Sequence, residues 1–111
     1  MAKILGKRVT QIPSRGMRIK YTIEAIHDLE RLRAFVEIKN PHVARRIAAE
    51  LLDGIENLAS FPELGLPVRR APNPNVIRDL FVGKYTVRYL RQEKSIIVLR
   101  VWHGKEAEND L

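Results

Sequence analysis

The sequence predicts an α+β domain in which a helical hairpin packs on one face of a small, mainly antiparallel sheet, in the order β-α-α-β-β-β. Three observations support this fold class. Runs of β-branched and aromatic residues between Val76 and His103 are separated by short polar stretches, which is typical of an antiparallel meander. Two amphipathic patterns with helical spacing precede the meander, and Asn40-Pro41 divides them. A short alternating run opens the domain.

The composition fits one globular domain with a basic surface. The chain has 111 residues, a formal net charge of +7 and no cysteine. This charge favours an acidic partner: nucleic acid, an acidic protein segment or an anionic surface. The lack of cysteine excludes disulfides, thiolate catalysis and cysteine-based zinc sites. No apolar run approaches the ~20 residues that span a bilayer, and the N-terminus has no signal-like apolar region, so we expect a cytoplasmic protein with no membrane partner.

Three segments divide the chain: a basic N-terminal arm over residues 1–16, a domain over 17–104 and a polar C-terminal tail over 105–111. The first segment is either a mobile arm of the native protein or the result of a start codon assigned too far upstream. The domain opens with Met17, Ile19 and Tyr21 alternating with Arg18 and Lys20, which predicts a half-buried strand. We expect the tail to fray.

Two helices follow, each with an apolar stripe. Thr22 is a candidate N-cap for the first helix, and Asn40-Pro41 supplies an N-cap and a first-turn proline for the second. Because the connection is so short, the helices should form an antiparallel hairpin. We expect Asp28 and Arg31 to lie mostly outside the stripe. The predicted inner positions are Ala25, Ile26, Leu29, Leu32, Phe35 and Val36 in the first helix, and Ala44, Ile47, Ala48, Leu51, Leu52, Ile55, Leu58 and Ala59 in the second.

The second helix should end at Phe61-Pro62, and residues 66–75 are predicted to be an exposed loop because they are rich in proline and asparagine. Both faces of the last strand are largely apolar. This predicts an interior strand, with the helices on one side and a partner or the arm on the other. Its expected faces are Ile97, Leu99, Val101 and His103 on one side, and Ile96, Val98, Arg100 and Trp102 on the other.

The order of these elements and several motifs resemble the RelE/ParE toxin superfamily of bacterial type II toxin–antitoxin systems. The resemblance covers most of the chain from Tyr21 to His103. The stretch Leu58-Ala59-Ser60-Phe61-Pro62-Glu63-Leu64-Gly65 resembles the superfamily's Leu-x-x-x-Pro-x-x-Gly helix exit. Arg78-Asp79-Leu80 followed by Tyr85-Thr86-Val87-Arg88-Tyr89 resembles its paired strands, and Ile97-Val98-Leu99-Arg100-Val101-Trp102-His103 resembles its final strand.

The resemblance implies one partner and two alternative targets. A cognate antitoxin, acidic and partly disordered, would fold onto the toxin and block it in a toxin–antitoxin hetero-oligomer. RelE-like members cut mRNA on the ribosome, whereas ParE-like members poison DNA gyrase without known hydrolytic chemistry. RNA cleavage would need a base for the 2′-hydroxyl proton, an acid for the leaving 5′-oxygen and cations on the phosphate.

Arg78 and His103 are the candidate catalytic residues if the protein is RelE-like. Arg78 matches a strand arginine of the superfamily. It could clamp a phosphate, or it could bond carboxylates or carbonyls within the fold. His103 matches a position where some ribonuclease members place a catalytic histidine, but Gly104 stands where those members usually have a tyrosine. The alternative for His103 is a capping or core role.

The candidate contacts with a nucleic-acid or protein target are mostly basic residues of the strands and the loop. Lys84 and Arg88 could equally belong to a solvated strand face, and Trp102 could be an aromatic anchor or a core residue. No spacing of His, Asp and Glu suggests a metal site, and there is no glycine-rich phosphate loop, so we expect no cofactor. The candidates are Arg69, Arg70, Lys84, Arg88, Arg100 and Trp102.

The lack of a complete acid–base set in the sequence favours the ParE-like branch. The sequence-based hypothesis is therefore a cytoplasmic toxin that inhibits DNA gyrase and is neutralised by an antitoxin. The alternative on the same fold is a ribosome-dependent mRNA endonuclease. Two further hypotheses are a nucleic-acid-binding module and a copy that has lost its toxicity.

Overall fold

The computed structural model describes residues 17–73 and 76–106. It confirms the predicted α+β class, with two helices packed on a five-stranded sheet. The predicted arm over 1–16 and the end of the predicted tail lie outside the described residues. Within the described part, neither helix has the length and apolar character needed to span a membrane. The elements are β1 (Arg18–Tyr21), α1 (Ile23–Lys39), α2 (Pro41–Asn57), β2 (Leu66–Pro67), β3 (Ile77–Val82), β4 (Tyr85–Arg91) and β5 (Ser95–His103).

The strands lie in the spatial order β1-β5-β4-β3-β2. β1 is parallel to β5, and the other neighbouring pairs are antiparallel. The last strand is interior, as predicted, because it has a neighbour on each side. The predicted order lacks β2, where Leu66 and Pro67 lie opposite Asp79 and Arg78 in a segment expected to be loop. Two residues that include a proline show no alternating pattern, so the sequence carries no strand signal there.

Both helix starts are capped as predicted. The Thr22 hydroxyl accepts a hydrogen bond from the Ala25 N–H at 3.0 Å. The Asn40 side-chain oxygen accepts hydrogen bonds from the N–H groups of His42 and Val43 at 3.1 and 3.2 Å. A proline then occupies the first helical position of α2, where a missing N–H loses no helical hydrogen bond. The short connection between the helices follows from these caps.

α1 buries a narrower stripe than the sequence predicts. Ile26 is 44% exposed and Phe35 is 60% exposed, so the predicted inner position of both residues is wrong. Asp28, expected outside the stripe, is buried. The reason is that α1 contacts the sheet over its first half, and from residue 33 onward all of its residues but one are exposed. We call this exposed half, residues 33–39, the α1 tip.

A β-bulge in β5 changes which of its residues share a face. Arg88 of β4 lies opposite Arg100, but the next residue, Tyr89, lies opposite Val98, so Leu99 has no direct partner. The simple alternation predicted for β5 is therefore wrong beyond this point. We call the side of the sheet that the helices cover the inner face, and the other side the outer face. Ile96, Val98 and Val101 are fully buried on the inner face, whereas Arg100 and Trp102 lie on the outer face.

The hydrophobic core lies between the inner face and the two helices. Leu52, predicted to point inward, is 49% exposed because it borders an open groove between the helices. The largest fully buried side chains are Tyr89, Ile55, Leu58, Ile96, Val87, Val98 and Val101.

Candidate functional site

Arg78 and Tyr89 together hold the segment that leaves α2. The Tyr89 hydroxyl donates a hydrogen bond to the Pro62 carbonyl oxygen at 2.8 Å and accepts one from the Gly65 N–H at 2.9 Å. The Arg78 guanidinium donates to the carbonyl oxygens of Gly65 at 2.8 Å and Glu63 at 3.4 Å. Burial raises the pKa of Tyr89, so its hydroxyl keeps the proton that it donates. These contacts give Arg78 the structural role that was one of its two predicted alternatives.

Gly65 is the residue on which these contacts converge. A Cβ atom at this position would lie 2.7 Å from Tyr89 Cε1 and 2.8 Å from the Asp79 carbonyl oxygen, which leaves no room for a side chain. The helix-exit motif, the strand arginine and the second tyrosine of Tyr-x-Val-x-Tyr are thus parts of one hydrogen-bonded assembly. We call it the helix-exit cluster, formed by Pro62, Gly65, Arg78 and Tyr89.

Arg88 is paired with Asp79, its neighbour across the outer face. Two guanidinium nitrogens of Arg88 donate to the two carboxylate oxygens of Asp79 at 2.8 and 2.9 Å. The guanidinium also lies over the Trp102 ring, 5.1 Å from its centre, which is a favourable cation–π distance. Trp102 is only 6% exposed, so it offers little ring surface to a target in this conformation.

Arg100 is paired with Asp28, a buried residue of α1. Its guanidinium donates to the Asp28 carboxylate at 2.8 and 3.0 Å, and the Val101 backbone N–H donates to the same carboxylate at 2.9 Å. The pairing of β1 with β5 ends at Tyr21 opposite Val98. Beyond Val98, β5 has no neighbouring strand on this side in the part of the chain that the structure describes, and the Asp28 carboxylate accepts the hydrogen bond that the Val101 N–H would otherwise donate to a strand.

The same contacts decide the charge of Asp28. Burial alone would raise its pKa. The hydrogen bonds from the Arg100 side chain and the Val101 N–H, together with the positive charge of Arg100, outweigh burial and hold the pKa of Asp28 below its usual value. The hydrogen bonds to Asp28 also raise the pKa of Arg100. Both groups are therefore charged at neutral pH, and each is the other's counter-ion.

His103 ends β5 beside Tyr85 and the turn that carries Lys84. Its Nδ1 accepts a hydrogen bond from the Lys105 N–H at 3.0 Å, which is the capping role that the sequence allowed. In the neutral ring the proton then resides on Nε2. The Tyr85 and His103 rings meet edge to face, with their centres 5.1 Å apart. Burial, and then the negative charge of Glu106, raises the pKa of Tyr85.

The two catalytic candidates are far apart. Arg78 lies opposite Tyr89 and His103 lies opposite Tyr85, on the two different neighbours of β4. Four residues of a strand span about 13 Å, and two strand spacings add about 10 Å across the sheet. A single phosphate group is too small to contact both side chains.

The six candidate target contacts divide into two groups. Arg88, Arg100 and Trp102 pack within the fold, as described above. Contact of any of the six with a target stays a prediction. The exposed residues are Arg69 and Arg70 in the loop between β2 and β3, and Lys84 in the turn between β3 and β4.

Among the grooves beside the helices, two are lined partly by apolar residues of α1. The hairpin groove lies between α1 and α2, and its lining is apolar except for Arg33. The tip groove lies between the α1 tip and the end of the sheet, where Tyr85 and His103 line it. Phe35 is 60% exposed and Ile38 is 85% exposed on the α1 tip. So much exposed apolar surface beside two grooves indicates a place for another protein.

The structural importance of Asp28 was not among the predictions from the sequence. Asp28 lies at helical spacing between Ala25 and Leu32, so the period of α1 does carry a signal that it faces inward. Nothing in the sequence identifies Arg100, 72 positions later, as its partner. The structure also reveals the contacts of Arg31 and Glu106 at the tip groove, for which the sequence has no signal. Within residues 17–73 and 76–106, no three His, Asp or Glu side chains are grouped so as to hold a metal ion.

The fold and these motifs agree with the family model that matches the sequence. A family model described as the ParE toxin of the type II toxin–antitoxin system parDE matches residues 19–108. The chain belongs to this family and is the toxin of a type II toxin–antitoxin module. Among curated proteins, Y4kP of Sinorhizobium fredii is 28% identical over 90 residues, which cover 80% of this chain and 90% of that protein.

Two solved structures share the fold. A chain of the chromosomal ParDE system of P. aeruginosa matches with a TM-score of 0.67 at 19% identity, covering 81% of this chain and 98% of that chain. A chain of the RelBE2 toxin–antitoxin complex of Mycobacterium tuberculosis matches with a TM-score of 0.59 at 21% identity, covering 82% of this chain and 94% of that chain. Together with the family match, they confirm the RelE/ParE superfamily.

Proposed function

We propose that this toxin stops growth by inhibiting DNA gyrase, as the ParE-like branch of the superfamily implies, and that it does not cut mRNA. The observation that carries the proposal is the separation of Arg78 from His103. Each residue also has a task within the fold. Arg78 binds carbonyl oxygens of the helix exit, and His103 Nδ1 accepts the Lys105 N–H. The ParE family match supports the same branch.

The chemistry of RNA cleavage explains why this separation matters. Attack by the 2′-hydroxyl needs a base, an acid and a cation around one phosphate, with each proton-transfer group within about 3 Å of its oxygen. Arg88 and Arg100 of the sheet are engaged by Asp79 and Asp28. A gyrase inhibitor has no such requirement, because binding a protein requires complementary shape and charge rather than a reactive set.

The exposed cations are the best candidates for the target surface. We assign contact with gyrase to Arg69, Arg70 and Lys84, which are exposed. We assign to Arg88, Arg100 and Trp102 the task of holding the sheet that presents them. The toxin would act in the cytoplasm, where gyrase binds DNA.

The decisive experiment is to induce the toxin in cells that lack its antitoxin and to map RNA 5′ ends shortly afterwards. We expect growth arrest, intact messages and a DNA-damage response. New 5′ ends concentrated inside translated codons would contradict the proposal and return Arg78 and His103 to the catalytic candidates. Growth without arrest would also contradict it and would indicate a copy without toxicity.

A supercoiling assay with purified gyrase tests the assigned surface. The double substitution Arg69→Gln and Arg70→Gln should raise the toxin concentration needed for half-inhibition about tenfold, because charges at an interface accelerate association. The matched control is Arg45→Gln with Arg46→Gln, which removes the same charge from exposed positions of α2. Equal effects of the two double variants would contradict the assignment of the loop.

We also propose that a cognate antitoxin, acidic and partly disordered, covers the hairpin groove and the α1 tip. The two structures that share the fold come from toxin–antitoxin systems. The apolar groove and the exposed apolar residues of the tip support a partner that contributes its own apolar side chains. The net charge of +7 supports an acidic one.

Two phenylalanines of equal exposure provide the test. Phe35 on the α1 tip is 60% exposed and Phe81 on the outer face is 59% exposed. Phe35→Ser should weaken antitoxin binding about tenfold or more, because an aromatic side chain buried in an interface is a typical energetic anchor. Phe81→Ser should change it less than about twofold. Equal losses in both variants, measured by calorimetry, would contradict this docking surface.

A further inference from the structure

The tip groove has an apolar wall, a basic rim and one acidic residue. Leu32, Phe35 and Val36 of α1 form the wall. The basic side chains in the lining are Arg31, Lys39 and Lys105, apart from His103. Glu106 is the acid in this lining, and it lies three residues after the end of β5.

The carboxylate of Glu106 occupies a site built from two other elements. One oxygen accepts the His103 backbone N–H at 2.9 Å, and the other contacts the Arg31 guanidinium. Arg31 is oriented by a second contact, because another of its guanidinium nitrogens lies 3.4 Å from the buried carboxylate of Asp28. The main chain adds a hydrogen bond from the Glu106 N–H to the His103 carbonyl oxygen at 2.9 Å. The start of the predicted tail is therefore an ordered turn packed on α1.

We propose that the Arg31 guanidinium and the His103 N–H form a carboxylate pocket for an acidic side chain of the antitoxin, and that Glu106 fills this pocket in the free toxin and competes with it. This inference rests on the proposed antitoxin partner and adds the polar anchor of its binding site. A carboxylate accepting both an arginine and a backbone N–H makes charge-assisted hydrogen bonds, which are the strong class. The observed Glu106 contacts show that the pocket has the right geometry for that group.

The rest of the groove indicates that the incoming carboxylate belongs to a peptide. The apolar wall of Leu32, Phe35 and Val36 would gain nothing from a phosphate backbone, whereas a peptide places apolar side chains next to acidic ones. Lys39 lies two turns of α1 beyond Arg31, about 12 Å along the helix, and can take a second acid of the same segment. The Lys39 ammonium lies 4.6 Å from the centre of the Phe35 ring, so it stands at the apolar wall.

Competition by Glu106 should be real but modest. Arg31 and Glu106 are both partly exposed, with side-chain exposures of 42% and 31%, and ion pairs of this kind are weak. While Glu106 fills the pocket, the antitoxin carboxylate cannot enter it. The apparent affinity for the antitoxin is therefore its intrinsic affinity multiplied by the fraction of toxin molecules whose pocket is free. Removing the charge of Glu106 should therefore strengthen antitoxin binding about two- to fivefold.

The test is a double-mutant cycle on full-length toxin with its purified full-length cognate antitoxin, measured by calorimetry or surface binding. Glu106→Gln should bind about two- to fivefold more tightly than the natural toxin, and Arg31→Gln about tenfold more weakly. In the Arg31→Gln background, Glu106→Gln should give no gain, because the pocket for which Glu106 competes is gone. Arg31→Lys should restore part of the affinity, since it keeps the charge.

The control for general electrostatics is Arg46→Gln. Arg46 is an exposed arginine of α2 that also lies near an acid, with its Nε 3.9 Å from Glu50, but it is outside the lining of the tip groove. Equal losses for Arg31→Gln and Arg46→Gln would overturn the proposal, as would unchanged or weaker binding of Glu106→Gln. An antitoxin that binds without responding to these substitutions leaves the proposed function intact and overturns only the pocket. An antitoxin that does not bind the natural toxin overturns both.

Discussion

Asp28 joins two elements that are distant in the sequence. It is a buried carboxylate on α1, and it accepts hydrogen bonds from the side chain of Arg100 and the main chain of Val101 on β5. Burying one charge is costly unless a partner and hydrogen bonds compensate it. Removing either partner would leave the other charge poorly solvated, so this pair should be sensitive to single substitutions.

Asp28→Asn should destabilise the toxin by about 3 kcal/mol, because it leaves Arg100 without its counter-ion in a partly buried site. Urea unfolding followed by circular dichroism measures the change. The control is Glu50→Gln, whose side chain is 60% exposed and lies 3.9 Å from Arg46, and which should cost less than about 0.5 kcal/mol. Similar losses in the two variants would contradict the role of Asp28.

The stability conferred by Asp28 should depend on pH. Because folding lowers the pKa of Asp28, its contribution is complete above the ordinary aspartate value of about 4. It should be lost as the pH falls through the lower pKa of the folded state, where the carboxylate takes up a proton. Unfolding measured from pH 6 down to pH 2 should show a steeper decline for the natural toxin than for Asp28→Asn. Parallel curves would contradict the assignment.

At the scale of the elements, the helix-exit cluster fixes how α2 passes into the sheet. The Tyr89 hydroxyl of β4 binds both ends of one short turn, at Pro62 and Gly65, and Arg78 of β3 binds the Gly65 carbonyl oxygen. One main-chain hydrogen bond, from the Leu64 N–H to the Phe61 carbonyl oxygen at 3.1 Å, closes the turn, and these side chains anchor it to the sheet. The cluster thereby also fixes the start of β2 and of the loop that carries Arg69 and Arg70.

Tyr89→Phe should destabilise the toxin by about 1–3 kcal/mol, because the buried Gly65 N–H loses its acceptor. The control is Tyr21→Phe, since the Tyr21 hydroxyl has no hydrogen-bond partner among the described residues. That substitution should cost less than about 0.5 kcal/mol. Denaturant unfolding distinguishes the two, and an equal effect would contradict the cluster.

Gly65→Ala should cost about 1–3 kcal/mol through overpacking, because the new methyl group would meet Tyr89 and the Asp79 backbone. Gly83 offers a matched position. It has a φ of +58°, and a Cβ atom at this position would have no neighbouring atom within 4 Å. Asparagine tolerates that backbone conformation. Gly83→Asn should therefore stay within about 0.5 kcal/mol of the natural toxin. A Gly65→Ala variant of natural stability, measured by thermal unfolding, would refute the close approach.

At the scale of the whole molecule, two surfaces differ in character. The helical side presents apolar grooves and the exposed α1 tip, which suits a partner that folds onto it. The loop after β2 presents Arg69 and Arg70, and the turn at the opposite end of β3 presents Lys84. One chain can thus present different surfaces to a neutralising partner and to a target.

The association of toxin and antitoxin should weaken with salt. Because the toxin carries a net charge of +7, long-range attraction should speed encounter with an acidic partner. Raising the salt from about 0.05 to 0.5 M should slow association about tenfold or more and change dissociation much less. Phe35→Ser should keep this dependence, since all charges remain, but should dissociate faster. Stopped-flow measurements check both points, and a salt-independent association rate would contradict an acidic antitoxin.

Several features of the fold depend on local chemistry and can be predicted from the order of residues alone. Residue type and spacing within short stretches of the chain predict the helix caps at Thr22 and Asn40, the helical hairpin and the meander. The superfamily follows from the order of short motifs. The exposure of the basic loop is also a local property, because its prolines and adjacent charges favour an exposed position.

The roles of the arginines of the sheet depend instead on contacts between distant parts of the chain. Arg100 meets Asp28 across 72 positions, and Arg78 meets the helix exit through a turn whose path depends on Tyr89. The bulge at Leu99 shifts the pairing of β5 with β4 by one residue. Residues after the bulge therefore lie on the face opposite to the one that a regular alternation along β5 would predict. The exposed position of Phe35 depends on where the sheet ends beneath α1. Each of these outcomes depends on contacts between distant segments, and a pattern of apolar and polar residues along the chain does not encode which distant groups will meet.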